Sequence, residues 1–211
     1  MEKIGFEGFF AKKRMLFLGF LILIVLAAGS VFGVRYYNYN RNENAGKLLW
    51  KGVRLYMSYN GKNPKVLVRS ALCLKKLQTG YKGTGASKIS LFYLGSDYMK
   101  SGKPDEAAVY FGEYIKNYPK PDSDNLTFLA YSNLAAAAMV KKDYKRAIAD
   151  FKAMSKIDGI ELQEYALLEE AALYSQIKKP RKAAAIYKAM LTNDAMTKDR
   201  GYIENLIQLN S

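Results

Sequence analysis

The stretch LGSDYMKSGKPDEAAVYFGEYIKNYP, Leu94 to Pro119, reads as a helix, a tight turn and a second helix. Gly95 and Ala107 are small where two helices would cross closely, Tyr98 and Phe111 fill the adjoining space, and Pro119 stops the second helix. Such a hairpin is either an isolated helical pair or one unit of a repeating array. The choice matters because stacked arrays bind other proteins.

The same spacing returns downstream. Tyr131, Leu134, Ala135 and Ala138 stand on one helix and Ala147 and Phe151 on the next, with Gly159 at the terminating slot. A third copy has Leu167, Ala171 and Tyr174, then Ala183 and Tyr187, and departs at Glu170, where an apolar residue is expected. With Leu91 added to the first copy, these positions resemble the tetratricopeptide pattern, which places repeats at 88–121, 128–161 and 164–197. Their starts are about 40 and 36 residues apart against an ideal of about 34, so linkers such as Pro119–Asn125 are stretched. Upstream, Leu48, Leu49, Trp50, Val53 and Leu55 form one apolar helix face and Val66, Val68, Ala71, Leu74 and Leu77 another, a pair whose repeat match is weak. Residues 200–209 put Tyr202, Ile203, Leu206 and Ile207 on one face, as a capping helix requires. The expected fold is all-α: a single transmembrane helix followed by a tetratricopeptide-like helical-hairpin solenoid, with about nine helices in the soluble part and no sheet.

From Met15 to Val34 the chain runs MLFLGFLILIVLAAGSVFGV, twenty residues without a charge, the length a helix needs to cross a bilayer core. Lys12, Lys13 and Arg14 precede it, and Arg35, Tyr36 and Tyr37 follow as an interfacial group. The Lys-Lys-Arg cluster orients residues 1–14 to the cytoplasm and 35–211 to the opposite face of a bacterial inner membrane, the periplasm, although basic residues on both sides make the bias small. A cleavable signal peptide is the competing reading, with Leu26-Ala27-Ala28-Gly29 as its small-residue site. Against it, the apolar run continues through Val31, Phe32 and Val34, and Ser30 stands where a lipoprotein carries cysteine. Ile4, Phe6, Phe9 and Phe10 beside Lys3 and Lys12 read either as a membrane-surface segment or as a frayed tail.

The tetratricopeptide resemblance implies that the first helix of each pair lines a concave face. The candidate partner-binding residues there are Ile89, Phe92, Met99, Lys100, Leu129, Met139, Tyr165 and Leu168. Repeats that clamp a terminal carboxylate use several lysines and asparagines in such slots; Lys100 alone argues against that ligand. Two readings stay open: an apolar groove whose methionines repack around varied peptides, or side chains that are simply core.

Chemistry is scarce. The net charge is +14, from 33 Lys and Arg against 19 Asp and Glu, and there is no histidine. A basic surface suits anionic partners. One cysteine, Cys73, excludes an intrachain disulfide and a multi-thiolate metal site, and its setting in SALCLKKL reads as a small buried hydrophobe. Gly80, Gly83 and Gly85 lack the lysine of a phosphate loop, since Ala86 stands there, and read as a linker. Asp122–Asn125 lacks the glycine and distal glutamate of a calcium loop and reads as a turn capping the next helix. No catalytic, cofactor or metal residues emerge, so no enzyme is expected. The lysines of VKKDYKRAIADFK and QIKKPRKAAAIYK sit at turns, a solvated edge whose partner, for a translocated domain, is anionic lipid or acidic protein and not nucleic acid.

The whole arrangement resembles the ancillary SecYEG translocon subunits: a short tail, one span, the run Arg35, Tyr36, Tyr37 and Asn38, degenerate repeats, and an amphipathic helix ending near Leu209. The resemblance implies a non-enzymatic helper near the Sec channel that meets exported polypeptides and a membrane-anchored folding factor. The basic soluble part departs from that family. The competing expectation is a structural subunit of a dedicated envelope assembly, such as a secretion or respiratory complex.

Overall fold

The computed structural model describes the backbone of residues 6–118, 125–193 and 199–211, and their side chains apart from residues 6–13 and Met15. The Lys12 and Lys13 side chains, Pro119 and most of the Asp122–Asn125 turn therefore lie outside the described residues. Among those residues there are nine helices and no strand.

The first helix, α1 (Phe6–Met57), is 52 residues long and has two unlike halves. Leu16 to Val34 is apolar and exposed throughout, with no protein against it. Further on, Ala45 and Val53 are buried and α1 packs on α2 (Lys65–Gly80). Gly52 permits that approach. A Cβ there would lie 2.8 Å from Leu74 Cδ2, and Ser70 of α2 donates a hydrogen bond to the Gly52 carbonyl at 2.9 Å.

Three further hairpins follow. They are α3 (Gly85–Lys100) with α4 (Pro104–Asn117), α5 (Leu126–Val140) with α6 (Tyr144–Met154), and α7 (Ile160–Gln176) with α8 (Pro180–Leu191). Each helix packs on the next in sequence, while α1 also reaches α3 and α3 reaches α5, so the hairpins stack side by side. The second helices share one stripe: Ala107, Phe111 and Tyr114; Ala147, Phe151 and Met154; Ala183, Tyr187 and Met190, all at most 3% exposed. Spacing of four and then three residues keeps each set on one helix face. Opposite it, Gly95, Ala135 and Ala171 are the small partners. A Cβ on Gly95 would meet the Phe111 ring at 2.7 Å.

The turns inside these three hairpins are three residues long and share one left-handed position. Gly102, Lys142 and Lys178 each take the left-handed slot, with φ of 70°, 60° and 58°. Pro104 and Pro180 open the helices that follow, where a missing N–H costs nothing, and Asp143 caps α6 through the Arg146 N–H. Finally α9 (Arg200–Leu209) closes the stack. Asp199 caps it, and Ile203 is 1% exposed in one cluster with Tyr174, Tyr187 and Met190.

Two local expectations are corrected. In α2 the buried set is Leu67, Ser70, Leu74 and Leu77, while Val66 is half-buried and Val68 is 60% exposed. Apolar residues fall on two overlapping stripes there, and the small Ser70, bonded to Gly52, selects the one that closes tightest on α1. Cys73 is half-exposed rather than buried, because it borders that stripe. Asn125, the described end of the Asp122–Asn125 turn, precedes α5 in a left-handed conformation.

Candidate functional site

The first helices α3, α5 and α7 carry the eight candidate groove residues, and the structure treats them unequally. Phe92 is 9% exposed and packs edge-on against Phe111 at 5.6 Å and Tyr114 at 6.4 Å, so it belongs to the core between α3 and α4. Met99, Met139 and Leu168 are half-buried against successive clusters, and Ile89 is half-buried. Leu129 and Tyr165 stay open, at 41% and 46% exposure. Lys100 is exposed, but its ammonium lies 3.8 Å from the centre of the Tyr56 ring on α1, a cation–π contact that bridges the first and second hairpins. Tyr56 also meets Tyr93 edge-on at 5.5 Å.

Between α5 and α7 the surface is aromatic. The Tyr165 ring leans on Phe128 with centroids 5.9 Å apart, and burial, followed by the nearby Glu169, pushes its hydroxyl pKa up. Farther along α7, Ser175 Oγ lies 2.5 Å from Asn210 Oδ1, so the end of α9 folds back over one groove slot. The open part of this face is thus the stretch around Leu129 and Tyr165, flanked by a first repeat closed by Phe92 and Lys100 and a third partly covered by Asn210. Sequence spacing named the slots. It missed Tyr56 and Asn210, which act on them from elements outside the three repeats.

Two carboxyl groups are buried beside these helices. Asp97 of α3 is 2% exposed, and neither of its carboxyl oxygens has a hydrogen-bond partner. Ser70 and Lys100 lie near enough to favour its charge slightly, yet Ser70 spends its proton on Gly52. Burial dominates and raises the Asp97 pKa to about 7. Glu170 is 4% exposed and faces Lys152 of α6 at 3.7 Å; burial pushes its pKa up and the lysine opposes this. The glutamate that breaks the repeat pattern is therefore held by an ion pair between hairpins. Arg14, Arg35, Tyr36 and Tyr37 are all exposed on α1. Among the described residues, no group of three or more His, Cys, Asp or Glu side chains is placed to hold a metal ion.

No family model matches the chain, and no curated protein matches it in sequence. Solved structures do match its shape, two repeat proteins among them. A tetratricopeptide repeat protein from Parabacteroides merdae aligns with a TM-score of 0.60 at 15% identity, over 80% of this chain and 60% of the other. Repeats of a protein described as a kinesin light chain from Podospora anserina, called TPR-like and nearly identical to one another, align with a TM-score of 0.54 at 14% identity, over 82% and 84%. Such identities speak to fold alone. The fold class of the chain follows from them together with the stacked hairpins: an all-α solenoid of tetratricopeptide-like repeats. Ahead of the repeats stands a helix long and apolar enough to cross a membrane, near the N-terminus, where a signal sequence has the same properties.

Proposed function

We propose that this chain is a membrane-anchored protein-binding module of the bacterial envelope, an ancillary translocon subunit that assists newly exported proteins in a chaperone-like way. Its N-terminus is cytoplasmic and its repeats periplasmic. The supporting observation is the continuity of α1. The helix passes without a break through the small-residue site at Leu26–Gly29 and on to Ala45 and Val53, which are buried in the first hairpin. An anchor that is also part of the folded array holds the open Leu129 and Tyr165 surface at a fixed place beside the membrane, where weak contacts suffice because the local concentration of passing chains is high.

One observation favours the structural-scaffold reading: Phe92 and Lys100 are already committed to internal packing, so only part of the face is open. Photo-crosslinking from Leu129 and Tyr165 in intact inner membranes separates the two. Many short-lived adducts with exported polypeptides, with a translocon component recovered in mild detergent, are expected. A single stable adduct with one envelope protein would replace this function with the scaffold, and a mature N-terminus near Ser30 would remove the anchor altogether.

A further inference from the structure

The turns Ser101–Lys103, Lys141–Asp143 and Ile177–Lys179 lie together at one edge of the stack. Arg41 donates a hydrogen bond to the Lys82 carbonyl at 2.6 Å, which fixes the α2–α3 turn beside the part of α1 nearest the apolar segment. Antiparallel packing then places the end of α1 at Met57, and every turn inside a hairpin, at the opposite edge. The turns touch in sequence. Asp105 pairs with Lys141 across the first two, and Tyr144 and Ile148 of α6 share a cleft with Tyr174 of α7 and Ile177 of the turn after it.

That cleft encloses about 620 Å³. Its floor is the four apolar and aromatic side chains just named, and Lys145, Lys178, Lys179 and Lys182 form its rim, with no carboxylate in the lining. Lys182 sits 5.4 Å from the centre of the Tyr174 ring. At the same place α8 begins with neither an acidic residue in its first turn nor a side-chain cap, so its N-terminal N–H groups add to the positive potential. The backbone supplies an independent sign. Where the α3–α4 hairpin uses Gly102, the α5–α6 and α7–α8 hairpins use Lys142 and Lys178 in the same left-handed conformation, which costs a residue with a Cβ about 1–2 kcal/mol and glycine nothing. Cations occupy strained positions on the one edge where they converge.

We infer that this cleft docks an acidic segment of a partner protein, with one apolar side chain of that segment on the Tyr144–Tyr174 floor and its carboxylates on the lysine rim. A free anion would leave the floor unused. The anchoring bilayer is out of reach, because the helix from Val34 to Met57 spans about 35 Å. That exclusion of lipid rests on the membrane reading above; the cleft itself does not.

The test uses the full chain in neutral detergent and a fluorescent heptapeptide, Glu-Glu-Glu-Leu-Glu-Glu-Glu, followed by anisotropy. Saturable binding that weakens with salt is expected, reduced about tenfold by Lys145→Glu with Lys182→Glu. Lys76→Glu with Lys116→Glu, which changes net charge equally on exposed positions elsewhere, leaves it unchanged. Lys178→Gly separates charge from folding: it raises the thermal midpoint by relieving the backbone and still weakens the peptide. Replacing the peptide leucine by serine weakens binding as well. Equal affinity in all variants would overturn the inference. So would a chain that ignores the peptide but binds phosphatidylglycerol vesicles through Lys145 and Lys182. Peptide binding at the cleft with no adducts at Leu129 or Tyr165 would overturn only the groove function.

Discussion

Asp97 is the residue at which burial and charge conflict most openly. Its folded-state pKa of about 7 exceeds that of an aspartate in an unfolded chain, near 4, so the folded protein holds a proton that the unfolded chain has released between those values. Stability therefore falls as pH rises across that window and levels off above it. Asp150, raised to about 6 by burial, acts in the same direction over a narrower range. Asp97→Asn is expected to raise the thermal midpoint by a few degrees at pH 8, to change it little at pH 4, and to flatten the profile between, leaving the contributions of Asp150 and Glu170, whose pKa values burial also raises. A midpoint that drops at pH 8 would mean the carboxylate is paired after all. No spacing rule flags this residue. Asp97 is one more polar letter between Ser96 and Tyr98, and only the closure of α2 over α3 turns it into a buried acid.

The second helices were legible as elements because their stripes are made of unambiguous residues: an alanine, then an aromatic four positions on, in Ala107–Phe111, Ala147–Phe151 and Ala183–Tyr187. The first helices were legible as elements too, but their exposed face was not, since α3, α5 and α7 are apolar on several sides and their outer surface depends on neighbours. Phe92 and Leu168 occupy the same slot of the first and third repeats, yet one is core and the other half-buried. The difference lies in Phe111 and Tyr114, which crowd the first slot. The same ambiguity displaced the face of α2 by one residue. The capping helix was readable because it has a single apolar side, and it carries a sharp expectation. Ile203→Ala is expected to cost about 2–5 kcal/mol in chemical denaturation, as for other buried Ile truncations. A loss under about 0.5 kcal/mol, the usual scale of surface changes, would mean α9 is an appendage and not a cap.

At the scale of the whole molecule, the repeats and the apolar segment were each legible in the sequence, but their union was not. Nothing in the run from Arg35 to Asn44 announces that one helix serves both, because its polar residues are neither good helix formers throughout nor breakers. Spin labels at Val34 and Met57, both exposed, are expected to give one narrow distance near 35 Å in reconstituted membranes, shortened and broadened by Asn42→Pro. A broad distribution in the unmodified chain would place a joint where the structure has none. The unbroken α1 makes the array a lever arm. A change of about 10° in its lean within the bilayer sweeps the lysine-rich edge sideways by about 6 Å, so bilayer thickness and neighbouring spans aim the domain directly.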